Sequence, residues 1–180
     1  MTELPAFVDW FIFPFEGEFR VRDRVPANPA EHVRSGDPGG PPCNECASPD
    51  EDYLWVDDRW RVRPAEPKAI PLVFLETREH VDFEDMGPQL AAELGPLLIR
   101  IHQGIYAGGG IGRVHHSKWG DGSSHWHLWF FGRPVGDLQL AGFAMSMWAQ
   151  VLPPMPTGEW DMRMSALAAH LATEGGTALR

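Results

Sequence analysis

A chain of 180 residues, 43% hydrophobic and 22% charged, amounts to one domain with enough apolar side chains for a core. Its 15 Lys plus Arg against 25 Asp plus Glu leave a formal charge of -10, so the basic footprint of a nucleic-acid-binding protein is missing. The apolar run Phe7 to Phe13 is short, carries Asp9 and has no positive flank, so it is expected to be neither a signal peptide nor a membrane span.

Taken in chain order, residues 1–42 read as an extended arm, because Pro26, Pro29 and the run Gly36 to Pro42 are rich in turn formers. Cys43 and Cys46 follow, the only cysteines, too few for a disulfide framework and spaced as C-x-x-C. A metal or redox pair in a cytoplasmic protein is expected. Tyr53 to Val56 and Trp60 to Val62 flank Asp57-Asp58-Arg59 as strand, turn and strand, and a third strand is predicted at Ile70 to Leu75. From Phe83 to Tyr106 the residues Leu90, Leu94, Leu97, Leu98, Ile101 and Ile105 recur at helical spacing, with Asp82, Glu84 and Asp85 as helix-start acids. Gly108 to Gly112 ends that helix; it lacks the Lys-Ser/Thr of a phosphate loop. A strand at Arg113 to His116, a loop from Lys118 to Ser124 and a strand at His125 to Phe131 complete an α+β pattern. Gln139 to Val151 fits either a strand or a short helix, Trp160 to Ala172 is helical in composition, and Glu174 to Arg180 reads as a loose tail. The chain divides into the arm 1–42, a core 43–134 and a C-terminal extension 135–180.

The segment Gly122-Ser123-Ser124-His125-Trp126-His127-Leu128-Trp129-Phe130-Phe131-Gly132-Arg133-Pro134 carries the chemistry. Alternation on a strand puts His125, His127 and Trp129 on one face and Trp126, Leu128 and Phe130 on the other. Paired imidazoles after a Gly/Ser turn suit metal ligation or attack on phosphorus. Two satisfied histidines on a buried strand is the plain alternative, and burying imidazoles without partners disfavours it.

This segment resembles the active strand of the histidine triad superfamily. The match extends upstream through Leu75 to Phe83 and its following helix, and Cys43-x-x-Cys46 resembles a zinc half-site of the galactose-1-phosphate uridylyltransferase branch. The resemblance covers residues 43 to 134 and implies an antiparallel sheet of five or more strands with one long helix. It further implies that Cys43, Cys46, His80 and His125 hold a structural zinc, and that His127 attacks the α-phosphorus of a nucleotide or related phosphate-containing substrate, forming a nucleotidyl-histidine. Gly122, Ser123 and Ser124 would hold the non-bridging oxygens, with Lys118 and Arg113 as added positive charge. Members of that superfamily pair as dimers, so a homodimer is allowed; nucleic acid and membrane are not expected partners.

The chain departs from the family pattern at the third triad position, where Trp129 has no proton to relay. Arg113 to His125 is also shorter than typical and has no Asn. It offers His115 and His116 instead, and His116 is taken as the candidate acid. Two rivals follow: a metal-centred enzyme with an open site near His125, His115 or His116, and a zinc-stabilised binding module without turnover. The arm is expected to cover the substrate pocket.

Overall fold

The computed structural model describes residues 4–27 and 30–180. A short helix α1 (Asn44–Ala47) precedes strands β1 (Trp55–Val56), β2 (Trp60–Pro64) and β3 (Leu72–Thr77). The long helix α2 (Pro88–Ala107), strands β4 (Ile111–Ser117) and β5 (His127–Pro134), helices α3 (Met145–Val151) and α4 (Thr157–Ala172) and strand β6 (Thr177–Ala178) follow. The strands form one six-stranded sheet in the order β4-β5-β3-β2-β1-β6, every neighbouring pair antiparallel. This is the α+β architecture expected from the sequence.

The β1–β2 turn is tight because the Asp57 carboxylate accepts from the backbone N–H groups of Arg59 and Trp60 at 2.8 and 2.6 Å. One face of the sheet is apolar: Val62, Val73, Leu75, Leu128 and Phe130 bury against Leu90, Leu97, Ile101 and Ile105, the stripe of α2. Each such side chain contributes roughly 1.5–3 kcal/mol when fully buried. Helix α4 closes over α2 at Gly104, where an added Cβ would stand 2.5 Å from Leu167 Cδ1. The other face is different. It carries Arg61 and Arg63 of β2, Phe74 and Glu76 of β3, and His127, Trp129 and Phe131 of β5, with Arg61, Glu76 and His127 in one cross-strand row.

Three expectations need correction, and one open alternative is resolved as a helix. Helix α2 begins at Pro88, since Pro is suited to a first helical position; Phe83–Asp85 is a separate 3-10 turn whose N–H at Phe83 is capped by the Asp82 carboxylate at 2.7 Å. The tail is not loose. Thr177–Ala178 pairs with β1, Leu179 donates to the Leu54 carbonyl at 2.8 Å, and Gly176, at φ +75°, lies so close to the Trp55 ring that a Cβ would collide with it. The ambiguous stretch 139–151 is helical from Met145 to Val151, after a 3-10 turn at Gly142–Ala144. Strand β5 starts at His127, so His125 lies just outside the ladder, with Trp126 N–H donating to the Val81 carbonyl at 2.8 Å.

The stretch 34–42 is stitched to the loop at 120–124. Ser35 N–H donates to the Gly122 carbonyl and Ser124 N–H to the Ser35 carbonyl, both at 3.0 Å, and Arg34 pairs with Asp37 and Asp82. Further upstream, aromatic residues lie over α3: Phe7 meets Phe143 edge-on at 5.5 Å and Trp148 donates to the Ile12 carbonyl at 2.7 Å. Among the described residues no helix is long and apolar enough to cross a membrane.

Candidate metal centre and adjoining cleft

Cys43, Cys46, His80 and His125 converge, their ligand atoms all within 4.8 Å of one another, and neither cysteine is in a disulfide. His125 Nδ1 lies 3.4 Å from each sulfur, and His80 Nδ1 lies 3.3 Å from Cys46 Sγ. Tetrahedral zinc at its usual bond lengths needs nitrogen and sulfur ligands about 3.5 Å apart, so these separations suit that ion. Local structure explains the convergence. Cys43 is the N-cap of α1, its sulfur accepting from the Cys46 N–H at 3.3 Å, which turns both sulfurs to one side.

The tautomers also fit. His125 Nε2 lies 2.7 Å from the Thr77 carbonyl, which can only accept, so Nε2 carries the proton and Nδ1 presents its lone pair to the sulfurs. His80 Nε2 donates to Ser124 Oγ at 3.3 Å while that hydroxyl donates to the Ser35 carbonyl at 3.1 Å, leaving His80 Nδ1 free in the same way. Gly36, at φ +89°, lies beneath this imidazole; a Cβ there would stand 2.5 Å from His80 Cε1. Burial, followed by the neighbouring Cys46 and Glu45, pushes the Cys43 thiol up to about 12. The Cys43 sulfur is thus stable as a thiol without a cation and as a thiolate with one. Ser124→Ala removes the acceptor that sets the His80 tautomer. Its zinc affinity, read by competition with a chromogenic chelator, is expected to fall about 10- to 100-fold.

His127 begins β5 and is half-buried. Its Nδ1 donates to the His125 carbonyl at 2.9 Å, so Nε2 keeps its lone pair. The side chain lines a cleft of about 330 Å³ with Ser35, Asn44, Glu45, Trp119, Asp121, Gly122, Ser123 and Trp129. The cleft is polar on the side of α1 and the 120–124 loop, and aromatic on the side of the two indoles. Burial alone would raise the Glu45 carboxyl, but its own backbone N–H, Cys43 and Ser123 hold it below the usual range. Ser123 Oγ donates to Glu45 Oε2 at 3.1 Å and accepts from the His125 N–H at 3.2 Å, tying cleft to cluster.

The structure thus brings His127, Gly122, Ser123 and Trp129 together. It does not bring the other candidates there. Ser124 is committed to Ser35 and His80. Lys118 turns to Asp82, at 4.0 Å, and to the Phe83 ring. Arg113 stands opposite Arg133 at the far end of β4, where it donates to the Gly112 carbonyl. His116 pairs with Phe130 across the ladder and therefore faces α2, away from His127. His115 shares the His127 face but packs beside Phe131, about 13 Å along the strand direction from the level of His127 at ~3.3 Å per residue.

On the α2 face His116 Nδ1 lies 3.1 Å from His102 Nε2. Burial, and then the neighbouring His116 and His115, lower the His102 pKa; burial and then Arg133 lower that of His115. A depressed histidine pKa means the unfolded chain binds more protons, so the stability it contributes is present above the ordinary histidine value, about 6.5, and is lost as pH falls through the folded value. The melting temperature is expected to drop between pH 7 and pH 5, and His102→Gln to flatten that slope.

Sequence reasoning missed Ser35, Asn44, Glu45, Trp119 and Asp121 in the cleft, and Arg61, which holds the cysteine loop. Arg61 is buried over the Tyr53 ring at 4.3 Å and donates to the carbonyls of Glu45 and Ser48, fixing the cysteine loop. The alternation Trp60-Arg61-Val62-Arg63 was the available signal, since charged residues on one strand face need a polar neighbour.

No protein-family model and no curated protein matches this sequence. Solved structures do match. A histidine triad protein from Bradyrhizobium japonicum aligns with a TM-score of 0.54 at 19% identity, over 67% of this chain and 91% of that one. A histidine triad protein from Sinorhizobium meliloti 1021 aligns with a TM-score of 0.54 at 15% identity, over 66% of this chain and 87% of that one. A third, from Marinobacter aquaeolei VT8, gives 0.51 at 18% identity, over 67% of this chain and 85% of that one. The fold is that of histidine triad proteins.

Proposed function

We propose that this chain is a nucleotide hydrolase or nucleotidyltransferase that acts at an α-phosphate through a covalent nucleotidyl-His127 intermediate, with a structural zinc held by Cys43, Cys46, His80 and His125. The observation that carries this reading is the paired use of the His125 backbone and side chain. Its imidazole faces the sulfurs, and its carbonyl accepts from His127 Nδ1 and leaves Nε2 as the nucleophilic nitrogen.

A bound zinc would crosslink α1, the loop that follows β3 and the entrance to β5; the chemistry belongs to the chain's own side chains. His127 Nε2 attacks phosphorus and the leaving group departs with its electron pair. Water or an acceptor phosphate then takes the nucleotidyl group and the imidazole returns neutral. With the Ser123 hydroxyl engaged by Glu45, the backbone N–H groups of Gly122 and Ser123 are the donors proposed to meet the phosphoryl oxygens, where a well-aligned donor is typically worth ~3 kcal/mol in the transition state. His116 takes no part in this scheme, because it faces α2.

Four converging donors saturate a tetrahedral ion, which favours a structural metal over the metal-centred alternative. Trp129, which offers no proton at the third triad position, favours the remaining rival, a binding module without turnover. One experiment separates them. Incubation with a nucleotide labelled at the α-phosphate should leave an acid-labile label on the protein, absent from His127→Ala. A zinc-loaded protein that never labels and turns over no nucleotide would leave the binding module.

A further inference from the structure

From the aromatic side of the His127 cleft we infer that the group expelled from phosphorus is a planar aryl oxide, seated in the corner between Trp119 and Trp129. This rests on the proposed function above and names its substrate class: a phosphodiester with an aromatic leaving group.

Trp129 is fixed on two sides, edge-on to Phe74 at 4.6 Å and nearly parallel to Phe131 at 6.0 Å and 14°. Trp119 stands at 84° to it with ring centroids 5.5 Å apart, and is 45% exposed. Two indoles at a right angle, one of them half in water, make a corner that accepts a flat ring stacked on one and edge-on to the other. Both line the cleft that holds His127, and Trp129 lies two residues along β5 from it, about 6.6 Å.

The polar lining narrows the leaving group. Among the described residues that line the cleft are two carboxylates, Glu45 and Asp121, and no Lys or Arg. A departing pyrophosphate or phosphate would meet like charge without a counter-ion. An alkoxide would need a proton, and the indole in line with His127 has none to release. An aryl oxide carries its charge delocalised over a ring that the corner binds. In the first step a bond forms between His127 Nε2 and phosphorus as the phosphorus–oxygen bond to the aryl group breaks, the electron pair leaving on the aryl oxide. In the second, water attacks phosphorus, the nitrogen–phosphorus bond breaks, and the products are a phosphomonoester, a phenol and neutral imidazole.

The test compares two esters of one nucleoside 5′-phosphate on the zinc-loaded full chain: a phenyl-type ester and a fluorinated-alkyl ester whose alcohol has the same acidity. We expect kcat/KM at least ~10-fold higher for the aryl ester, and Trp119→Leu to erase most of that ratio through KM, as loss of one stacking contact would. Equal kcat/KM in the unsubstituted protein, or a ratio unchanged in Trp119→Leu, overturns the inference. If neither ester turns over or labels His127, the proposed function fails. The corner is then judged by binding of the matching non-hydrolysable phosphonates, read as the fluorescence difference between the unsubstituted protein and Trp119→Leu. Tighter aryl binding supports it, and equal binding rejects it.

Discussion

Replacing His127 by alanine is expected to lower kcat for the proposed phosphodiester substrate by at least ~10⁴-fold, on the scale seen when a covalent nucleophile is removed. That corresponds to at least about 5 kcal/mol of transition-state stabilisation. The fold should survive. The side chain is half-buried and its hydrogen bond to the His125 carbonyl is worth only about 1 kcal/mol. Zinc content and melting temperature should therefore stay close to those of the unsubstituted protein. His127→Asn is the sharper variant, since an amide can still donate to that carbonyl but offers no nucleophilic nitrogen. Both variants should be equally inactive in steady-state turnover. An asparagine variant with substantial turnover would remove His127 from the bond-making role.

The site was legible in the sequence where chemistry and local spacing coincide. C-x-x-C at an N-cap, two imidazoles flanking one residue and a Gly/Ser turn each carry their own meaning over a few positions. The face alternation held for Trp126, Leu128 and Phe130 against His127 and Trp129, because it depends only on strand pleat. What was not legible depends on register and on long-range partners. His116 was taken for a catalytic acid, yet its ladder partner is Phe130, and that pairing turns it toward His102 on α2. Arg113 and Lys118 lie near the motif in sequence, but a strand of seven residues carries Arg113 well away from His127. The tail from Glu174 was unreadable because a two-residue strand has no periodicity of its own; it forms because β1 offers an unpaired edge and Trp55 needs a cover. Glu45 and Ser35 enter the cleft only through α1 and the 34–42 loop folding back, contacts that no local pattern encodes.

Those long-range contacts make the cleft depend on the cluster. Arg61 reaches from β2 to the carbonyls of Glu45 and Ser48, so the loop bearing the cysteines is tied to the sheet row that ends in His127. Ser123 joins Glu45 to the His125 backbone. A shift of this loop moves the polar wall of the cleft relative to His127, and in the proposed reaction displacements of about 1 Å are enough to cost catalysis ~100-fold.

Removal of the metal, by a strong chelator or by Cys46→Ser, should accordingly destabilise one side of the molecule more than the other. Without an ion, two sulfurs and a buried His125 imidazole remain packed together, and loss of a structural metal belongs with the mutational effects above about 4 kcal/mol. At ~2–4 °C per kcal/mol for a domain of this size, the melting temperature should fall by roughly 10 °C. None of the four ligands lies on α2 or α4, which pack into the apolar core on the opposite face of the sheet, so the amides of these helices should keep their hydrogen-exchange protection. The amides of residues 34–48 and 120–126, which the four ligands hold together, should exchange much faster. Activity should disappear with this local loosening and return when zinc is restored to the chelated protein, but only weakly for Cys46→Ser, which keeps three ligands. A chelated protein that melted at the same temperature and kept its protection at 34–48 would show that the sulfurs and imidazoles hold no ion that matters to the fold.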